Sequence, residues 1–197
     1  MLKEILIGGF GGQGIMLMGQ LLAYGAIHEG LEATFFPSYG PEMRGGTANC
    51  TIVISDRRIG SPIRNRFSVL MAMNQASLDR FKDHVKPGGF LAYNETLIDN
   101  LPEVKDIEIV KVPANQIADE LKNPQVANMV AAGGLIRVLG FISFDSLSRG
   151  LEKVLPKYRH QSIPLNEKAI KMGMEAVLDT SDPSWAEKKK WANPEVK

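Results

Sequence analysis

Only one cysteine, Cys50, occurs in 197 residues. A single thiol excludes an intrachain disulfide and cannot supply the set of thiolates that holds an iron–sulfur cluster, so any redox centre this chain serves belongs to another chain. Histidine is nearly as scarce. His28, His84 and His160 are far apart with no ligand-like spacing, which argues against a metal site. Neither sign of charge dominates: 23 Lys and Arg face 22 Asp and Glu, a net charge of +1 that does not suit a general polyanion binder. Long apolar runs are missing too. None approaches the roughly 20 residues needed to span a bilayer, and Met1 to Ile7 is broken by glycine too early for a secretory signal. A cytoplasmic location is expected.

What the chain has instead is glycine, placed with purpose. Leu2 to Ile7 reads as a buried strand, Ile15 to His28 as a helix, and between them Gly8, Gly9, Gly11, Gly12 and Gly14 fill five of seven positions. Strand, glycine turn and helix make a Rossmann-like opening whose helix N-terminus attracts anions. The spacing of Gly9, Gly11 and Gly14 matches the dinucleotide pattern, but that fingerprint also needs an acid at the carboxyl end of the second strand. The second strand, about Glu32 to Phe36, puts Glu32 at the wrong end. A P-loop is excluded because no Lys-Ser or Lys-Thr follows and Gln13 stands uncharged in the turn.

Beyond the second strand lies the loop Pro37-Ser38-Tyr39-Gly40-Pro41-Glu42-Met43-Arg44-Gly45-Gly46. It leaves the same sheet edge as the glycine turn, the edge at which open α/β sheets bind ligands. Its prolines stiffen it, Gly40, Gly45 and Gly46 admit another surface, Tyr39 offers a flat ring and Arg44 a forked cation. Thr47 to Ile54 is β-rich, and Cys50 within it reads as a small buried residue. A hairpin is expected between residues 47 and 66. Its Arg57, Arg58, Arg64 and Arg66 either line a solvated face or meet phosphates or a partner's carboxylates.

Further on, strands alternate with helices: Val69 to Met73, a helix Gln75 to Val85 capped by Asn74 and stopped by Lys86-Pro87-Gly88-Gly89, then Phe90 to Tyr93, Ile107 to Val112 and a helix Ala114 to Leu121. The pattern predicts an α/β fold, a three-layer Rossmann-like domain with a mostly parallel sheet, a β-hairpin insertion and a helical C-terminal part. That last part begins with an apolar helix, Val126 to Leu139. Its Gly133-Gly134 would cost about 1 kcal/mol per glycine unless close packing, the expected reading, or a ligand needs them. Ser143 can cap a helix Phe144 to Leu155. A final helix from Pro164 shows an apolar stripe of Leu165, Ala169, Met172 and Ala176. Residues 1–179 read as one domain. Residues 180–197 form a charged tail that carries both Trp185 and Trp191 and either docks on a partner or stays disordered.

The two loops together, with Met73-Asn74-Gln75, Lys86-Pro87-Gly88-Gly89 and the Asn128 to Gly140 helix, resemble the gamma subunit of 2-oxoacid:ferredoxin oxidoreductases over about residues 3 to 178. The Ser-Tyr-Gly-Pro-Glu-Met-Arg-Gly-Gly form looks most like the 2-oxoglutarate type, with branched-chain enzymes close behind. The resemblance implies a non-catalytic subunit of a complex that turns a 2-oxoacid, coenzyme A and oxidised ferredoxin into acyl-CoA, carbon dioxide and reduced ferredoxin. Thiamine diphosphate, magnesium and the iron–sulfur clusters would sit on other chains: alpha, a thiamine-binding beta and a ferredoxin-like delta. Gly11, Gly12, Gln13 and Gly14 would then touch an anion or coenzyme A. Ser38, Tyr39, Gly40, Arg44, Gly45 and Gly46 would form the interface. The small subunit of indolepyruvate:ferredoxin oxidoreductase, a free-standing NAD-binding protein and a purely structural scaffold remain the other readings.

Overall fold

The computed structural model describes residues 1–39 and 46–179; the side chains of Tyr39, Leu178 and Asp179 fall outside that description, as do the tail and its two tryptophans. Six strands, β1 (Leu2–Phe10), β2 (Glu32–Tyr39), β3 (Thr47–Ser55), β4 (Phe67–Ala72), β5 (Val85–Asn94) and β6 (Ile107–Val112), form one sheet in the order β2-β3-β1-β4-β5-β6. β3 runs antiparallel to both of its neighbours, and the pairs β1/β4, β4/β5 and β5/β6 are parallel. The hairpin expected between residues 47 and 66 is absent, because residues 56–66 contain no strand; the antiparallel pair is instead β2 with β3. Placing β3 between β1 and β2 also moves β2 to the edge. That location explains how Pro37, which has no N–H to donate, is tolerated opposite Cys50, and why β2 continues to Tyr39 rather than stopping at Phe36.

The helices are α1 (Ile15–His28), α2 (Gln75–Phe81), α3 (Ala114–Glu120), α4 (Ala127–Leu139), α5 (Phe144–Val154) and α6 (Ile163–Asp179). All but α2 pack on one face, where Ile5, Ile7, Ile52, Ile54, Val69 and Met71 meet α1 and α4 in the larger core. α2 covers the other face above Leu6, Leu70 and Leu91. Right-handed crossovers dictate this split. From β1 the chain moves one way through α1 to β2, and from β4 it moves the opposite way through α2 to β5, so the two helices lie on opposite faces.

Local signals act as their chemistry requires. The Asn74 side chain accepts the Ser77 N–H at 2.9 Å and caps α2, and Ser143 accepts the Ser146 N–H at 3.1 Å to cap α5. α2 ends at Phe81, earlier than the sequence suggested, and a 3-10 turn leads straight into β5; Lys86 to Gly89 lie inside that strand beside a register shift. Gly133 and Gly134 serve packing. A Cβ on Gly133 would lie 2.0 Å from the Ile170 carbonyl oxygen, and one on Gly134 2.8 Å from the Val112 side chain.

Cys50 is fully buried, its Sγ 3.6 Å from the Ile15 carbonyl oxygen and filling the space a Cβ on Gly19 would need. Burial pushes its thiol far above the ordinary range, since the thiolate would lose its hydration. The native protein is expected to leave a chromogenic disulfide reagent unreacted through about pH 9, near the ordinary thiol range, and to release one equivalent of thiol on denaturation. Fast reaction of the native form would contradict the packing.

Candidate functional site at the carboxyl edge of the sheet

Every parallel strand delivers its carboxyl end to one edge of the sheet. The loops after β1 and β4 leave there toward opposite faces, so β1/β4 is the topological switch point at which doubly wound folds open a ligand crevice. Here the chain fills that crevice itself. After Phe10 the backbone turns through Gly12 (φ 100°) and Gly14 (φ 73°), conformations that favour glycine, and the Gln13 N–H returns to the Phe10 carbonyl at 3.1 Å. The Gln13 side chain then crosses the switch point. Its Oε1 accepts the Phe10 N–H at 2.7 Å and the Asn74 Nδ2 at 2.9 Å, while its Nε2 donates to the Met73 carbonyl at 3.3 Å.

A second amide performs the same service for Gly14. Asn128, buried at the start of α4, donates to the Gly14 carbonyl at 3.4 Å, and its Nδ2 lies 2.3 Å from where a Gly14 Cβ would be. Asn94, buried at the end of β5, donates to the Asn115 Oδ1 at 2.8 Å. Gln13, Asn74, Asn94, Asn115 and Asn128 thus tie the ends of β1, β4 and β5 to α3 and α4. Outside this row lies a cleft of about 370 Å³ bordered by Gly12, Gly14, Asn115, Gln125, Asn128 and Arg159. Among the described residues lining it, Arg159 alone is ionisable, and Gly12 presents bare backbone, with no atom within 4 Å of the position its missing Cβ would take. The arrangement can hold a ligand or a chain by hydrogen bonds and one cation. It offers no general base among the described residues.

The geometry does not fit a dinucleotide held in the Rossmann manner. The space beside Gly9 is taken by Ile15 and Gln13, and β2, which should present the ribose-binding acid next to β1, is displaced by β3. The two predicted loops do meet: the Gly11 N–H donates to the Gly46 carbonyl at 2.9 Å, and Phe10 pairs with Thr47. Ser38 is exposed and pairs with Asn49; Tyr39 pairs with Ala48 through its backbone. Gly40, Arg44 and Gly45 lie outside the described residues. Of the predicted turn, Gly11, Gly12 and Gly14 lie at the edge as expected, whereas Gln13 points inward. Sequence reasoning passed over Asn94, Asn115, Gln125, Asn128 and Arg159 as site residues. Asn94 and Asn115 stand at or just after the ends of β5 and β6, which was their only signal; Gln125, Asn128 and Arg159 lie in the helical part and had none.

Comparison with known proteins agrees with this architecture. The family described as pyruvate ferredoxin/flavodoxin oxidoreductase matches residues 4–176. A 2-oxoglutarate synthase subunit KorC of Methanocaldococcus jannaschii is 40% identical over 161 residues, 80% of this chain and 86% of that protein. A ketoisovalerate oxidoreductase subunit VorA of Methanothermobacter marburgensis is 41% identical over 145 residues, but those are 74% of this chain and only 30% of the longer relative. Among solved structures, a keto/oxoacid ferredoxin oxidoreductase gamma subunit from Geobacter sulfurreducens superimposes with a TM-score of 0.81 at 28% identity, covering 92% of this chain and 99% of that one. The 2-oxoglutarate:ferredoxin oxidoreductase of Magnetococcus marinus, whose structure holds 2-oxoglutarate, coenzyme A and succinyl-CoA, matches with a TM-score of 0.81 at 27% identity over 92% of this chain and 32% of its own. The chain belongs to the pyruvate ferredoxin/flavodoxin oxidoreductase family, as a subunit of the gamma type.

Proposed function

We propose that the complex served by this gamma-type subunit is a cytoplasmic 2-oxoglutarate:ferredoxin oxidoreductase, which decarboxylates 2-oxoglutarate oxidatively to its acyl-CoA and reduces ferredoxin. The observation that carries the substrate is the match to most of a separate KorC subunit, 86% of its length, because only 30% of a branched-chain relative of similar identity is matched, in a chain much longer than this one. Branched-chain 2-oxoacids are the second reading, favoured by that same identity.

On this reading thiamine diphosphate and its magnesium are held by other chains; no three His, Cys, Asp or Glu side chains gather among the described residues. That chemistry belongs to the alpha and beta chains, and the clusters to a ferredoxin-like delta chain or domain. The cleft beside Gly12, Gly14 and Arg159 suits a phosphate-bearing ligand, so this subunit lines the coenzyme A path. Ser38, Tyr39, Gly40, Arg44, Gly45 and Gly46 meet the thiamine-bearing chains. Residues 1–179 act as one domain and the tail docks alongside.

Anaerobic co-purification of the tagged chain from its own cells tests the reading. Brown, thiamine-containing partners that reduce ferredoxin with 2-oxoglutarate and coenzyme A, at least tenfold faster than with 2-oxoisovalerate, are expected. A colourless chain that comes alone and binds NADH would overturn it. Within the complex, Arg44→Ala and Tyr39→Ala are each expected to weaken assembly or turnover by about tenfold, the loss typical of an interface anchor; full activity in both would remove the loop from the interface.

A further inference from the structure

The face of the sheet that carries α2 is incompletely covered. Register aligns Phe36, Thr51, Leu6, Leu70, Leu91 and Ile109 in one row across all six strands on that face. Thr51, Leu6, Leu70 and Leu91 are buried, yet Phe36 on β2 is 44% exposed. α2 and its Phe81 pack over β1 and β4 in the cluster that includes Leu91, and among the described residues the irregular 56–66 segment is what borders the β2/β3 side. Between them runs an open groove of about 350 Å³ floored by Leu6, Phe36, Thr51 and Phe67 and walled by Ile63 and Phe81. Ile63 is 65% exposed at the lip of this groove, whose lining also includes the polar Ser38, Asn49 and Asn65.

Charge at this groove has one sign. Among the described residues no acidic side chain lines it, whereas the Arg64 cation does. The 56–66 segment carries Arg57, Arg58, Arg64 and Arg66 against Asp56 alone, and Asp56 is paired with the N-terminal ammonium. Arg64 is anchored, its Nε 3.6 Å from the buried Glu4, whose carboxylate also accepts from Lys86 and Ser68 at 2.8 Å each. That anchor holds the segment in place over the sheet. Arg58 and Arg66 are exposed and make no hydrogen bond or ion pair among the described residues.

We propose that this groove docks a segment of a partner subunit that inserts an apolar side chain between Phe36 and Ile63 and sets carboxylates against Arg64 at the groove and against the rest of the basic 56–66 segment, Arg58 and Arg66 included. The inference rests on the reading of the chain as a subunit of a complex. Two other occupants fit the charge poorly. The chain's own tail carries Lys188, Lys189, Lys190 and Lys197 against Asp182, Glu187 and Glu195, so it is close to neutral and brings a basic rim no excess of carboxylates. A second copy in a two-fold contact would bring the same arginines toward one another.

The test uses the reconstituted complex with three forms of this chain: wild type, Ile63→Asn, and Arg58→Glu with Arg66→Glu. All the substituted positions are exposed, so the melting temperature of the isolated chain should hold within about 2 °C, as surface changes generally allow. Each variant is expected to join the other subunits about tenfold more weakly, as for the loss of an interface anchor, and the charge-reversed form should lose most of the wild type's salt dependence. Wild-type assembly with both variants binding within about twofold of it, well short of the loss of an anchor, would overturn the docking site while leaving the subunit reading intact. Failure of the wild type to assemble would overturn the subunit reading and the docking site with it. If the isolated chain forms a dimer that Ile63→Asn dissolves, or if deleting residues 180–197 is what frees the groove, the occupant is a second copy or the tail and the proposal is wrong.

Discussion

Replacing Gly133 with alanine is expected to cost about 3 kcal/mol or more of stability, the upper range for overpacking a core. Two helices touch there through bare backbone. A Cβ on Gly133 of α4 would stand 2.0 Å from the Ile170 carbonyl oxygen of α6, and a Cβ on Gly173 of α6 would stand 2.0 Å from the Val130 carbonyl oxygen of α4. No rotamer relieves either contact, because the obstacle is main chain. The helices must separate, and α4 is buried along almost its whole length, so the separation opens voids against Val112, Val177 and the sheet. Gly133→Ala with Gly173→Ala should cost less than the sum of the two, since one separation serves both. Gly30→Ala is the control: φ is +78° there but nothing lies within 4 Å, so only the backbone cost of about 1 kcal/mol remains. Urea unfolding followed by circular dichroism measures all four. A loss below about 1 kcal/mol at Gly133, the low end for overpacking, would mean that the helices cross at a greater distance. The effect should also reach the functional edge, because Asn128 opens the same helix and holds Gly14.

How much of this could be read in the sequence follows from how far each interaction reaches along the chain. β1, the glycine turn and α1 depend on residues close in sequence, and so do the caps from Asn74 and Ser143; all were legible, except that β1 continues through Gly8 and Gly9 to Phe10, where the sequence had placed the turn. The place of β3 was not. Thr47 to Ser55 reads as a buried strand in either direction, and only pairing with β1 and β2 together decides that it runs antiparallel between them. Pro37 read as the end of a strand because edge location, which excuses its missing N–H, is a property of the sheet. The apolar stripe of α6 was legible but incomplete for a related reason. Ala169 is in the core with Leu165, Met172 and Ala176 packed against it, and Asn166, Ile170, Gly173 and Val177 are buried there too. Gly173 carries no hydropathy, yet it marks the contact. The cluster of Glu4 with Lys86 and Arg64 joins residues far apart in the chain, and no local pattern announces it.

Gln13→Ala is the second large effect expected, and it separates a plug from a ligand contact. Removing the amide takes a partner from the Phe10 N–H and the Asn74 Nδ2 across the switch point and leaves the Met73 carbonyl only the Asn94 Nδ2 at 3.5 Å. Because Gln13 is only partly buried, water can re-enter, so the expected loss is about 2 kcal/mol, below the full desolvation cost of three groups. Gln13→Glu sharpens the test. Its carboxyl keeps the acceptor for Phe10 and Asn74 but sets an oxygen against the Met73 carbonyl, where Nε2 now donates at 3.3 Å. Only a protonated carboxyl can donate there, so the native state raises its pKa above the unfolded value of about 4.3. A raised carboxyl pKa makes the native state bind more protons than the unfolded one. Stability should then match the wild type below the unfolded pKa, and fall as pH rises from the unfolded pKa to the folded one. If Gln13 instead faced a ligand, both variants would be as stable as the wild type at every pH and would lose only affinity within the complex.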